Sequence, residues 1–75
     1  MDKTIYTKDH KFIIVQLKKA RNDAGFDQEK VAELLGKTQS YVSKIEAGQR
    51  RIDIVQLKEF AKIYKKELGY FIKSL

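Results

Sequence analysis

Glycines divide this sequence into short segments that each have the periodicity of a helix. Proline is absent, and the four glycines stand at positions 25, 36, 48 and 69. Between them apolar residues recur at spacings of three and four, which indicates amphipathic helices, whereas no long stretch has the period of two typical of strands. Helices commonly end at glycine. The sequence therefore predicts an all-α fold of five helices, the first three of which end at Gly25, Gly36 and Gly48.

The first predicted helix covers residues 9–24, with Asp9 as its N-cap and Gly25 as its stop. The residues before it are mostly polar, and chain termini are often loosely held. We therefore expect residues 1–8 to form an N-terminal arm and residues 9–75 to form one domain. The face of this helix that is expected to point inward consists of Ile13, Leu17, Ala20 and Ala24.

Two short helices are predicted next, joined by a tight turn. They cover residues 28–35, capped by Asp27, and residues 39–47, capped by Thr38. A link of about three residues around Gly36 is too short for an antiparallel pair, so the two helices must cross steeply. One face of the later helix then projects from the body of the domain. Its inward residues are Val42 and Ile45, and its outward residues are Gln39, Ser40, Tyr41, Ser43 and Lys44.

The last two predicted helices have strong apolar faces. The fourth begins after Asp53, and Gln56 completes a variant of the capping box. The fifth lies in the segment ELGYFIKSL, residues 67–75. Lys65 and Lys66 precede this segment, so no glycine marks the boundary between the fourth and fifth helices. The apolar residues are Ile54, Leu57, Phe60, Ala61 and Tyr64 in the fourth helix and Leu68, Phe71, Ile72 and Leu75 in the fifth.

Composition excludes several classes of function. The 75 residues include no cysteine, which rules out disulfides and thiolate metal sites. No apolar run reaches the ~18 residues that span a bilayer and no secretory signal opens the chain, so we expect a cytoplasmic protein without membrane association. His10 has no partners at metal-ligand spacing and no nucleophile–base pairing stands out, so no metal, no cofactor and no enzymatic activity are expected. The net charge of +6 favours a polyanionic partner without distinguishing nucleic acid from an acidic protein or a membrane surface.

The segment DQEKVAELLGKTQSYVSKIEAGQR, residues 27–50, resembles the helix-turn-helix of the lambda-repressor-like family, which includes phage Cro and CI repressors and Xre-type regulators. The shared features are a glutamine at the start of the second helix, a small alanine, the turn glycine, an apolar pair in the third helix and an Ile-Glu-x-Gly ending. The resemblance covers about residues 12–72. It implies a compact five-helix domain in which helices two and three form the helix-turn-helix.

In this family the third helix enters the major groove of double-stranded DNA, so the resemblance assigns a role to each matching position. It also implies that Arg21 and Glu46 form a structural ion pair. It implies base contacts from Gln39, Ser40, Ser43 and Lys44 and a phosphate contact from Gln28. The other phosphate candidates are residues that flank the same face, and they are Lys37, Thr38, Tyr41, Gln49, Arg50 and Arg51.

The fifth helix commonly pairs with a second copy in this family. The resemblance therefore implies a homodimer that reads a palindromic or near-palindromic operator and acts as a bacterial or phage repressor. The alternative for the helix is that its apolar residues all belong to the core of one chain. The alternative for the function is an antitoxin or a protein-interaction adaptor that retains the fold, because a fold does not determine a function. The expected dimer residues are Leu68, Phe71, Ile72 and Leu75.

Overall fold

The computed structural model describes residues 7–73, which form helices joined by turns and irregular segments, with no strand among them. This is the predicted all-α class. The five helices of this part of the chain are α1 (Lys8–Ala24), α2 (Gln28–Leu35), α3 (Gln39–Glu46), α4 (Ile54–Tyr64) and α5 (Gly69–Ile72).

Side-chain caps set the start of the first four helices. The predicted caps Asp27, Thr38 and Asp53 are confirmed, and Asp53 forms the capping box with Gln56. Each cap accepts a backbone N–H that has no partner within the helix, which favours initiation at that residue.

The predicted cap of α1 is wrong. Thr7 caps this helix, because its hydroxyl accepts the backbone N–H of His10 at 3.1 Å. Asp9 lies within the first turn instead, where a carboxylate favours the positive end of the helix dipole. The helix therefore includes Lys8, which was predicted to belong to the arm, and residues 1–6 of that predicted arm lie outside the described residues.

The buried face of α1 also differs from the prediction. Leu17 and Ala20 are buried as expected, but Ile14 replaces Ile13 as a fully packed position and Ala24 is exposed. Three helices, α3, α4 and α5, pack against α1. The face of α1 that they cover is rotated by one residue relative to the predicted face. This face continues to Arg21, seven residues after Ile14, rather than to Ala24.

Large side chains from every helix meet in one core. In α4 the predicted stripe is buried at Leu57, Phe60, Ala61 and Tyr64, but Ile54 is 55% exposed because it starts the helix beyond the packed layer. The largest side chains without solvent contact are Phe60, Phe71, Leu17, Ile45, Val31 and Val42.

The junction between α4 and α5 is formed without a glycine. Lys65 adopts the left-handed conformation, with φ of 57°, and ends α4. The single turn of α5 that follows is shorter than predicted and begins at Gly69 without a side-chain cap. Phe71 lies on this turn and is fully buried, which fixes α5 against α1.

Candidate nucleic-acid interface

A tight corner joins α2 to α3. Gly36 ends α2 in the left-handed conformation with φ of 69°, which glycine adopts without the strain that a Cβ would add. The N–H groups of Gly36 and Lys37 donate to the carbonyls of Glu33 and Ala32 at 3.2 and 2.9 Å. These bonds satisfy the last carbonyl groups of α2 and fix the direction in which the chain enters α3.

The two faces of α3 differ sharply in burial. Val42 and Ile45 have no solvent exposure and anchor the helix in the core. The structure brings all four predicted base-contacting residues together on the exposed side of this short helix. They are Gln39, Ser40, Ser43 and Lys44.

Tyr41 does not lie on that outer face, so its predicted position is wrong. It is 8% exposed, and its hydroxyl is buried with no hydrogen-bond partner among residues 7–73. The ring lies parallel to that of Phe60, at an interplanar angle of 4° and a centroid distance of 6.4 Å. Burial raises the pKa of the Tyr41 phenol. The hydroxyl is therefore not placed to meet a phosphate directly.

Positive side chains surround the Tyr41 ring. The Cζ atom of Arg50 lies 4.8 Å from the ring centroid and the Nζ atom of Lys37 lies 5.5 Å from it. Arg50 follows α3 in the chain and reaches the ring after the chain turns at Gly48, whose φ is 74°. The other predicted phosphate-contacting residues near α3 are also exposed, and they are Thr38, Gln49 and Arg51.

A buried network joins α1, α2 and α3. Arg21 and Glu46 form the ion pair that the resemblance implies, through Nε and Oε2 at 2.7 Å and through Nη2 and Oε1 at 3.0 Å. Glu46 is 3% exposed, and its hydrogen bond is the main reason that the pKa of Arg21 is raised. Arg21 also donates from Nη1 to the carbonyl of Phe26 at 3.0 Å. Two-point pairing of this kind restricts the orientation of both side chains.

Gln28 also belongs to this network, because its Nε2 atom donates to Oε1 of Glu46 at 3.1 Å. The side chain is only partly buried and lines a groove with Ser43, so its predicted phosphate contact stays a prediction. Burial raises the pKa of the Tyr64 hydroxyl on α4, and the nearby Glu46 carboxylate raises it further. The carboxylate of Glu46 thus lies close to groups from all of the first four helices.

Sequence reasoning missed Lys18 as a candidate for the same face. Lys18 is exposed on α1 and lines a shallow groove together with Ser43 and Ala47. It stands three residues before Arg21, so the two side chains lie on the same face of α1, and Arg21 contacts α3. This spacing in the sequence could have indicated that Lys18 lies near α3.

The predicted dimer face is smaller than expected. Phe71 is fully buried within one chain and cannot contact a second copy, so that assignment is wrong. Leu68 and Ile72 are partly buried against the core, and Leu75 lies outside the described residues. The structure therefore leaves only part of α5 for a contact between copies.

Two further properties concern the described part of the chain. Within residues 7–73, no group of His, Asp and Glu side chains is arranged to hold a metal ion. None of the helices in that range has both the length and the apolar character to cross a membrane.

Comparison with protein families agrees with this geometry. A family model for helix-turn-helix domains matches residues 17–71, which include α2, α3 and α4 entirely. Neither the curated proteins nor the solved structures contain a match to the chain. The family match extends over most of the chain, from the middle of α1 to Phe71 in α5. The chain therefore belongs to the Xre-type, lambda-repressor-like family of DNA-binding helix-turn-helix regulators.

Proposed function

We propose that this protein is a sequence-specific transcriptional repressor that inserts α3 into the major groove of double-stranded DNA. The observation that carries the proposal is the position of Gln39, Ser40, Ser43 and Lys44 on an exposed face of a helix whose other face is locked in the core. A helix fits the major groove, where each base pair presents a distinct pattern of donors and acceptors. Such a regulator acts in the cytoplasm, and the binding role requires no catalysis or cofactor.

The exposed side chains suit the reading of bases. The amide of Gln39 can pair in two ways with adenine N6 and N7, and the ammonium of Lys44 can donate to guanine O6 and N7. The hydroxyls of Ser40 and Ser43 can donate to or accept from a base edge. Each well-made bidentate contact would discriminate against the wrong base by about 1–3 kcal/mol.

Phosphate contacts would supply affinity that does not depend on sequence. Lys37 and Arg50 are exposed beside α3, and Thr38, Gln49 and Arg51 lie close to them in the chain. Each neutralised phosphate would contribute about −0.9 to the slope of log K against log salt concentration. We include Lys18 as a further candidate because it shares a groove with Ser43.

We further propose that two copies bind one palindromic or near-palindromic operator. Two recognition helices about one DNA turn apart, roughly 34 Å, would read the two half-sites. The contact would use Ile72 of α5 and Leu68 just before it, which one chain leaves partly accessible, together with Leu75. Sedimentation would test this. The wild type should have the mass of a dimer, and Leu75→Glu should have the mass of a monomer. A wild type that stays monomeric at high concentration, both free and on DNA, would refute it.

Selection of bound sequences from random duplex DNA would test the main proposal. We expect a consensus, and we expect Gln39→Ala to relax discrimination at one base pair while Arg50→Ala weakens all sequences alike. If Gln39→Ala weakened every sequence equally, α3 would not be the reader. If selection returned no consensus, an antitoxin or adaptor role would be favoured instead.

A further inference from the structure

Tyr41 differs from its neighbours on α3 because its ring is buried while two cations lie over it. Arg50 and Lys37 are both within the ~6 Å of a ring centroid at which the quadrupole of the ring attracts a cation. Lys37 precedes α3 in the chain and Arg50 follows it. One ring therefore gathers positive charge from both flanks of the helix.

The ring itself has little freedom to move. It is 8% exposed and stacks parallel to Phe60 of the core, and the backbone N–H of Tyr41 donates to the hydroxyl of Thr38 at 3.1 Å. A side chain held in this way can act as a fixed platform. The two cations lie over the ring itself, whereas the hydroxyl is buried.

We propose that Tyr41 is a positioning residue for DNA binding, whose ring holds Arg50 and Lys37 as a clamp for neighbouring phosphates. This inference rests on the proposed function and adds a role for a residue that does not itself touch DNA. Ordering a long, flexible side chain on binding weakens association by about two- to tenfold. A ring that orders the side chain in the free protein reduces this loss.

The charges point to an anion as the missing partner. Arg50 and Lys37 place two positive charges at one ring beside α3. A DNA phosphate that either cation neutralises would release counterions. The attraction of the ring for both cations holds them at this position before the anion arrives.

Two substitutions separate the ring from the hydroxyl. Binding would be measured by fluorescence anisotropy with a labelled random-sequence duplex of ~20 base pairs, about two helical turns. We expect Tyr41→Phe to bind within about twofold of wild type, because it keeps the ring, and Tyr41→Leu to bind about three- to tenfold more weakly. An equal loss in both variants would show a direct contact from the hydroxyl and overturn the inference.

A double-mutant cycle tests whether Tyr41 acts through the cations. In a background that carries both Lys37→Gln and Arg50→Gln, Tyr41→Leu should cause no further loss of affinity. In a matched Lys44→Gln background, which leaves the two cations over the ring in place, it should keep its full effect. If Tyr41→Leu caused the same fold-loss in both backgrounds, Tyr41 would act through the fold alone and the inference would be wrong.

The free protein offers a second measurement should Tyr41→Leu fail to fold. The side-chain protons of Arg50 should resonate upfield in the wild type and in Tyr41→Phe, because they lie over an aromatic ring. Unshifted protons would overturn the inference without affecting the proposed function. By contrast, a wild type that did not bind the duplex at low salt would refute the proposed function itself.

Discussion

The C-terminal ends of α2 and α4 have the same backbone geometry but different residues at the turning point. Gly36 has φ and ψ of 69° and 32°, and Lys65 has 57° and 42°. At both ends the turning residue and the one after it donate to carbonyls three and five residues back, at 3.2 and 2.9 Å. The corner before α3 thus uses the residue that favours this conformation, whereas the junction before α5 uses one that opposes it.

The two turns obtain their stability from different interactions. The left-handed backbone conformation costs a residue with a side chain about 1–2 kcal/mol of conformational free energy. Contacts beyond the turn must therefore hold Lys65 in this conformation. Phe71, six residues later, is fully buried and can provide them. At the corner, the local turn and the network around Glu46 both hold α3 in place. A helix that presents side chains to a ligand needs such rigid support.

The largest expected effect tests whether Phe71 is that anchor. Phe71→Ala should lower the free energy of unfolding by about 4 kcal/mol, because it leaves a cavity in the core where a fully buried ring was. Urea unfolding followed by circular dichroism would measure it, with Val55→Ala at an exposed position of α4 as the control. A loss below about 1 kcal/mol would mean that α5 does not hold the junction.

The next effect concerns the corner. Glu46→Ala should lower the free energy of unfolding by about 3 kcal/mol, because it leaves the guanidinium of Arg21 without its partner in a mostly buried position. Glu33→Ala is a matched control, since Glu33 pairs with Lys30 at the surface and surface pairs contribute only about 0–1 kcal/mol. Equal losses in the two variants would contradict a stabilising role for the buried network.

Substitution at the turning residue of the corner should have a smaller effect. Gly36→Ala should destabilise the fold by about 1 kcal/mol, through the strained left-handed backbone and not through a clash, since a Cβ there would meet no atom within 4 Å. Thermal unfolding would detect the change. An unchanged midpoint of thermal unfolding would mean that the corner tolerates a left-handed residue with a side chain, as the junction before α5 does at Lys65.

The smallest expected effect has the opposite sign. Lys65→Gly should stabilise the fold by somewhat less than about 1 kcal/mol, because glycine relieves the strain while adding conformational freedom to the unfolded chain. The same thermal measurement applies, with Lys62→Gly inside α4 as a control that should destabilise. A destabilised Lys65→Gly would show that this lysine makes contacts worth more than the strain.

Elements set by short-range hydrogen bonds could be predicted from the sequence. The caps Asp27, Thr38 and Asp53 each bond to a residue three positions later, and the helix that each one starts was predicted correctly. The exception was α1, where Thr7 and Asp9 are both good caps and only the structure shows which is used. The exposure of Gln39 and Lys44 followed from periodicity alone.

Positions that depend on distant neighbours could not be predicted in this way. Tyr41 is buried because Phe60, nineteen residues later, stacks on it, and the amide of Gln28 donates to Glu46, eighteen residues later in the chain. The assignment of Phe71 to a dimer contact failed for the same reason, since its partners in the core come from other helices.

Capping, glycine turns and helical periodicity act over a few residues, so the helical class, the tight corner and the exposed polar face of α3 follow from the residue order alone. The packing of the helices selects which individual polar side chains face outward and which are bound in the interior. Burial is a property of all the neighbouring elements together, and an aromatic or amide side chain next to an apolar position can turn either way until those elements pack.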